Sequence, residues 1–203
     1  MSSGILLFIH TLALPLIEKV LAKLNQQGRV SDEVLYLYTV IPTRDDIQTK
    51  CAVLRSDPSL QHLEKIEKLK PNNGLRDLTA PWRLKYDLCK NFRLVVSLET
   101  VTDSFRHRYP VPNLTLQAGS QEVGETPLDT ALRELMEEAR IRIDPALIKH
   151  SPIGLLGRGM LMYPVYITDD VWVRQESDGS YFLGASSSWT ERDATNQLSV
   201  TIS

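Results

Sequence analysis

Cysteine is scarce. Cys51 and Cys89 are the only two in 203 residues; they follow no metal-ligand spacing, and one pair builds no disulfide scaffold in a chain of this length. The expectation is a reducing, cytoplasmic setting. An excess of one charge sign is also missing: 23 Lys and Arg stand against 25 Asp and Glu, for a net charge of −2. No overall basic field draws long nucleic acid, so small partners are favoured. The dense apolar stretch at residues 5–16, ILLFIHTLALPL, is too short to span a bilayer. It lacks the basic leader and small-residue cleavage site of a signal peptide and carries His10, so it reads as structural, with no membrane partner. Internal repeats and low-complexity tracts are absent.

What is present suffices for one core, with 42% apolar residues. Residues 15–27 place Leu16, Val20, Leu21 and Leu24 on one helical face, with Gly28 as a stop; residues 1–30 are predicted to be an N-terminal helical extension. Residues 34–41, VLYLYTVI, read as a buried strand closed by Pro42. Residues 50–55 suit a short strand, and Asp57-Pro58 opens a predicted helix through Leu60, Leu63, Ile66 and Leu69. A loop follows at residues 71–81, containing Asn72-Asn73-Gly74, and then Trp82 as a core anchor.

Further strands are predicted at residues 92–101, 114–118, 141–143, 147–156 and 160–168, the last two joined through Gly157-Arg158-Gly159. Asp178-Gly179 signals a hairpin between residues 171–173 and 181–183. Residues 194–203 read as a loop and a strand. Strands, a helix and more strands in that order predict an α/β fold with a mixed sheet flanked by helices.

Chemistry concentrates in residues 119–141, GSQEVGETPLDTALRELMEEARI. Thr126 before Pro127 is a helix start, and Asp129 holds the capping-box position. Leu128, Ala131, Leu132 and Leu135 form an apolar stripe for a core. Beside it Glu134, Glu137 and Glu138 form a carboxylate ridge, in a stretch with six acids and two bases. Like charges at this spacing repel. Taken alone the ridge also reads as a solvated acidic face; as a site it calls for a hard cation with oxygen ligands, Mg²⁺ or Mn²⁺.

Gly119, Glu125, Arg133-Glu134 and Glu137-Glu138, at these spacings, resemble the Nudix box, the motif of hydrolases that cleave a nucleoside diphosphate linked to another moiety. The match covers 23 residues and departs at Arg140, where the family pattern has glycine. The resemblance implies a Nudix-type α/β/α sandwich over residues 31–203. It implies Glu134, Glu137 and Glu138 as metal ligands, with the Ala118 carbonyl as a further one. Glu134 would be a ligand or the general base, Arg133 would orient it, and Glu125 would support the site. Glu176 and Glu191 are alternative distal bases.

In a phosphate-cleaving enzyme Arg106 and Arg108 suit substrate binding, with a solvated loop as the plain alternative. At Arg140 a side chain costs on the order of 1 kcal/mol in the left-handed conformation that glycine adopts freely, so the helix is expected to end differently. Gly157 stands where family members carry a subclass-marking proline or tyrosine, and no subclass follows. ADP-ribose-like compounds, dinucleoside polyphosphates and capped RNA are the candidate substrates, the last needing stacking residues such as Trp82, Trp172 or Trp189. The alternative is a non-catalytic scaffold of the same fold that binds a nucleotide or a protein.

Overall fold

The structure, a computed structural model, describes residues 1–27, 33–39, 70–71, 91–99, 113–157 and 159–185. The fold is of the α/β class with mixed sheets. Strand β1 (Ser2–His10) leads into helix α1 (Leu14–Gln26), then β2 (Glu33–Thr39), β3 (Lys70–Pro71), β4 (Phe92–Glu99), β5 (Asn113–Thr115) and β6 (Ala118–Ser120). Helix α2 (Pro127–Ala139) follows. The chain continues with β7 (Ile141–Ile143), β8 (Ile153–Leu155), β9 (Met160–Ile167), β10 (Trp172–Gln175) and β11 (Tyr181–Gly184).

The larger sheet is built on β1. Along one edge β1 runs parallel to β9, from Ser2↔Met160 to Ile9↔Ile167. Its other edge is shared by two antiparallel strands: β6 takes the first half, at Ser2↔Ser120 to Gly4↔Ala118, and β4 the second, at Phe8↔Leu94 to His10↔Phe92. Leu116 and Gln117 are buried where the chain passes from β5 to β6. The Gln117 amide and the Ser97 hydroxyl, 2.9 Å apart, form a buried hydrogen-bonded pair there.

The helical extension predicted for residues 1–30 is therefore corrected over Ser2–His10, which is a strand at the centre of the sheet. The reason is the run Ile5-Leu6-Leu7-Phe8-Ile9, in which every side chain is at most 1% exposed. A helix on a core has one solvent-facing side and would expose part of such a run, whereas a central strand buries both faces. Helix begins only at Leu14, with Pro15 in its first turn. Its buried face is Ile17, Val20, Leu21 and Leu24, with Leu16 half-buried beside it. Asn25 ties α1 to β2, its amide bonding the Leu35 backbone at 2.9 and 3.0 Å.

Ile5, Leu7 and Ile9 share one core with α1 and with Ala131, Leu135 and Ala139 of α2. Val173, Tyr181, Leu183, Ile141 and Ile143 join it from a second sheet, β10-β11-β7. The Asp178-Gly179 hairpin is present with Gly179 at φ 86, and β8 and β9 pair antiparallel around the turn at Gly157. Predicted strand 147–156 shrinks to Ile153–Leu155, and its first residue belongs instead to a 3₁₀ turn at Pro145–Leu147 that Asp144 caps. Residues 50–55, the helix from Asp57 to Leu69, Asn72-Asn73-Gly74, Trp82 and residues 194–203 lie outside the described residues. Among the described residues no helix is long and apolar enough to cross a membrane.

Candidate active site on the glutamate helix

The sequence fixes the start of α2 locally. Thr126 Oγ1 accepts the Asp129 N–H at 3.2 Å, and the Thr126 N–H donates to Asp129 Oδ2 at 3.0 Å, completing the capping box. The Thr126 N–H first, and then the Thr126 hydroxyl, hold the Asp129 carboxyl below its ordinary pKa. At the other end Arg140 adopts the left-handed conformation, φ 60 and ψ 33, with its N–H on Met136 O at 3.0 Å. The expectation that an arginine here would end the helix differently is thus corrected. The strain is offset by Arg140 Nη2, which donates to Asp178 O at 2.8 Å. Positive charge is also favourable at a helix C-terminus.

Arg133 is the hub of the site. Its Nε donates to Glu125 Oε1 at 2.6 Å and its Nη2 to Glu125 Oε2 at 3.2 Å, a two-pronged contact that fixes both planes. Nη1 reaches Glu134 Oε1 at 2.9 Å and Glu137 Oε2 at 3.1 Å, and Nη2 also bonds the Ser120 carbonyl at 2.9 Å. Glu122 lies 3.8 Å from Nη1. Four carboxylates therefore surround one guanidinium.

Glu125 is held by more than Arg133. The Thr130 hydroxyl donates to its Oε2 at 2.7 Å and the Glu122 N–H at 3.0 Å. Arg133 first, then the Glu122 N–H and the Thr130 hydroxyl, lower the Glu125 pKa from 4.5 to about 2, and the Glu125 carboxylate first, with Glu134, Glu137 and Glu122, raises that of Arg133 above its already high value. Glu134 is 8% exposed, and its carboxylate lies against the backbone of β6: a Cβ at Gly119 would overlap Oε1, Cδ and Oε2. The motif glycine leaves room for the glutamate. Glu138 Oε2 accepts the Ala118 N–H at 3.1 Å, and Glu137 is the exposed member of the ridge.

The structure thus brings Glu125, Arg133, Glu134 and Glu137 into one network and sets Glu138 beside Ala118. The Glu176 carboxylate pairs with Arg174 at 2.9 Å, and that guanidinium stacks over Phe182 at 4.8 Å. Trp172 is 5% exposed, with its ring across Gly184 and its Nε1–H on Ala185 O at 2.7 Å, so it serves packing rather than stacking on a ligand. Arg106, Arg108, Glu191, Trp82 and Trp189 lie outside the described residues.

Thr130, Ser120 and Glu122 complete the network and were not singled out by sequence reasoning. Thr130, one turn before Glu134 on the carboxylate side of the helix, carried the one usable signal. Among the described residues no three His, Cys, Asp or Glu side chains come together closely enough to grip an ion. The chain matches no protein-family model, no curated protein and no solved structure.

Proposed function

We propose that this chain is a metal-dependent hydrolase of the Nudix type, cleaving the pyrophosphate bond of a nucleoside diphosphate linked to another moiety. The observation that carries the reading is the Arg133 network. Of the residues recognised only by their spacing, Arg133 is in direct contact with both Glu125 and Glu134, and Gly119 is the residue whose lack of a side chain admits Glu134. The finer fold reading, an α/β/α sandwich, puts a second helical layer over the buried face of Leu6, Phe8, Leu94 and Val96.

The donor set fits a hard divalent cation by chemistry and by charge. Carboxylate oxygens are the ligands that Mg²⁺ and Mn²⁺ prefer, and four carboxylates around one guanidinium leave an excess of negative charge. Glu134, Glu137 and Glu138 would hold the ion, with the Ala118 carbonyl. When bound it would neutralise the bridging phosphates and ease ionisation of water.

The chain's own residues divide the remaining work. Glu125, with a pKa near 2, is too weak a base to take a proton near neutrality; it anchors Arg133. Arg133 in turn orients Glu134, the ridge residue that would act as a ligand or as the general base. Binding energy at the Glu137 end is small by itself, since an exposed ion pair contributes little.

The test is Mg²⁺- or Mn²⁺-dependent release of phosphate or nucleotide from ADP-ribose, NADH, dinucleoside polyphosphates, inositol pyrophosphates and capped RNA. Glu137→Gln and Glu138→Gln should each abolish it. Turnover that survives both changes removes the ridge as the metal site. The second reading, a non-catalytic scaffold, is favoured by Arg133 bridging Glu134 and Glu137, since among the described residues no three acids converge closely enough to grip an ion. Binding without turnover of any panel member would establish it.

A further inference from the structure

We propose that Ser3 is a positioning residue for Glu134, acting through a buried water that joins its hydroxyl to the Glu134 carboxylate. The hydroxyl is the first observation. Ser3 is 0% exposed, and among the described residues its Oγ has no hydrogen-bond partner. A buried hydroxyl is costly unless paired, and such groups are where internal waters are held.

Strand geometry says what the hydroxyl faces. Side chains alternate along β1, and Ile5, Leu7 and Ile9 enter the core with α2, so Ser3 points to that same side. The pairing register sets Ser3 directly opposite Gly119 of β6. Gly119 is the residue whose Cβ direction is filled by the Glu134 carboxylate. Opposed Cβ positions in a sheet are about 4.5–5.5 Å apart, the span that one bridging water closes. Arg133 engages Glu134 Oε1, and a carboxylate has about four acceptor sites, so a donor from the Ser3 side adds to the arginine contact.

Arg133 and Ser3 then hold the same carboxylate from two sides, one from the solvent edge and one from the core. The catalytic consequence rests on the proposed role of Glu134, but the hydrogen bond itself does not. The experiment separates the two. Ser3→Ala, Glu134→Ala and the double variant are compared by thermal unfolding of the full chain without added metal.

Ser3→Ala should lower Tm by about 2–4 °C, the shift one lost hydrogen bond gives at this chain length. In the Glu134→Ala background the same change should cost under about 1 °C. A Ser3→Ala protein as stable as the wild type would mean that the hydroxyl is idle, and equal losses in both backgrounds would mean that it acts apart from Glu134; either result overturns the proposal. On any panel substrate that is turned over, Ser3→Ala should reduce kcat about 10-fold with KM little changed. An unchanged kcat beside a coupled Tm would overturn the positioning role and keep the hydrogen bond. If no substrate is turned over, the proposed activity fails while the coupling of the two Tm shifts still decides whether Ser3 and Glu134 interact.

Discussion

At the scale of single residues, the site depends on where one carboxylate can be put. Gly119 is needed for space: its backbone needs no left-handed freedom, but any Cβ would displace the end of the Glu134 side chain. That end is flexible, so Gly119→Ala should fold with a stability loss under about 1 kcal/mol. Turnover should nonetheless fall about 100-fold, because a shift near 1 Å at a reacting group costs about that much; full activity with unchanged stability would refute the account. Glu125 gives a test by pH. Its folded pKa, about 2, is below its ordinary 4.5, so the stability it contributes is complete above 4.5 and is lost as pH falls toward 2. Urea midpoints of the wild type and Glu125→Gln should therefore converge over that window and stay apart, at a constant gap, from pH 5 to 7. A gap that widened on acidification would reverse the sign and exclude the Arg133 pairing as its source.

At the scale of elements, α2 shows how a local cost is carried by a neighbouring piece. Arg140 sits at φ 60, and its guanidinium bonds the Asp178 carbonyl at the tip of the β10–β11 hairpin, while Arg142 approaches the Asp178 carboxylate at 3.6 Å. Arg140→Gly relieves strain on the order of 1 kcal/mol but gives up that contact and gains backbone freedom in the unfolded chain. The two effects nearly cancel, so equilibrium unfolding should place Arg140→Gly within about 1 kcal/mol of wild type. Arg140→Val, branched at a left-handed position, should lose more than Arg140→Gly; equal losses would show that the conformation is not what matters. The capping box, the Asp178-Gly179 turn and the Ala131–Leu135 part of the α2 stripe were legible in the sequence because each is encoded within about one turn of chain, whereas Leu128 of that stripe does not join the core. Arg140 was legible as a departure, but its conformation was not, since the hairpin that stabilises it is 38 residues away.

At the scale of the molecule, the central strand was the illegible part. Five apolar residues in a row fit a buried helix and a buried strand equally well by periodicity, and only pairing with β9, β4 and β6 decides between them. The outcome matters for the site, because the first three paired positions of β1 hold β6, and β6 supplies Gly119 and Ala118. Core and site are consequently one cooperative unit. Leu7 is 0% exposed and lies opposite Val165, whereas Leu12 is 65% exposed just after the strand. Leu7→Ala should cost about 2–5 kcal/mol, and Leu12→Ala should stay within about 0.5 kcal/mol. Because β1 lies between β9 and β6, Leu7→Ala should also speed amide hydrogen exchange at residues 118–120, two turns of strand from the substitution, along with residues 161–167. Exchange that accelerates in β9 alone, with β6 protected as in the wild type, would mean that the carboxylate site is held by α2 independently of the core strand.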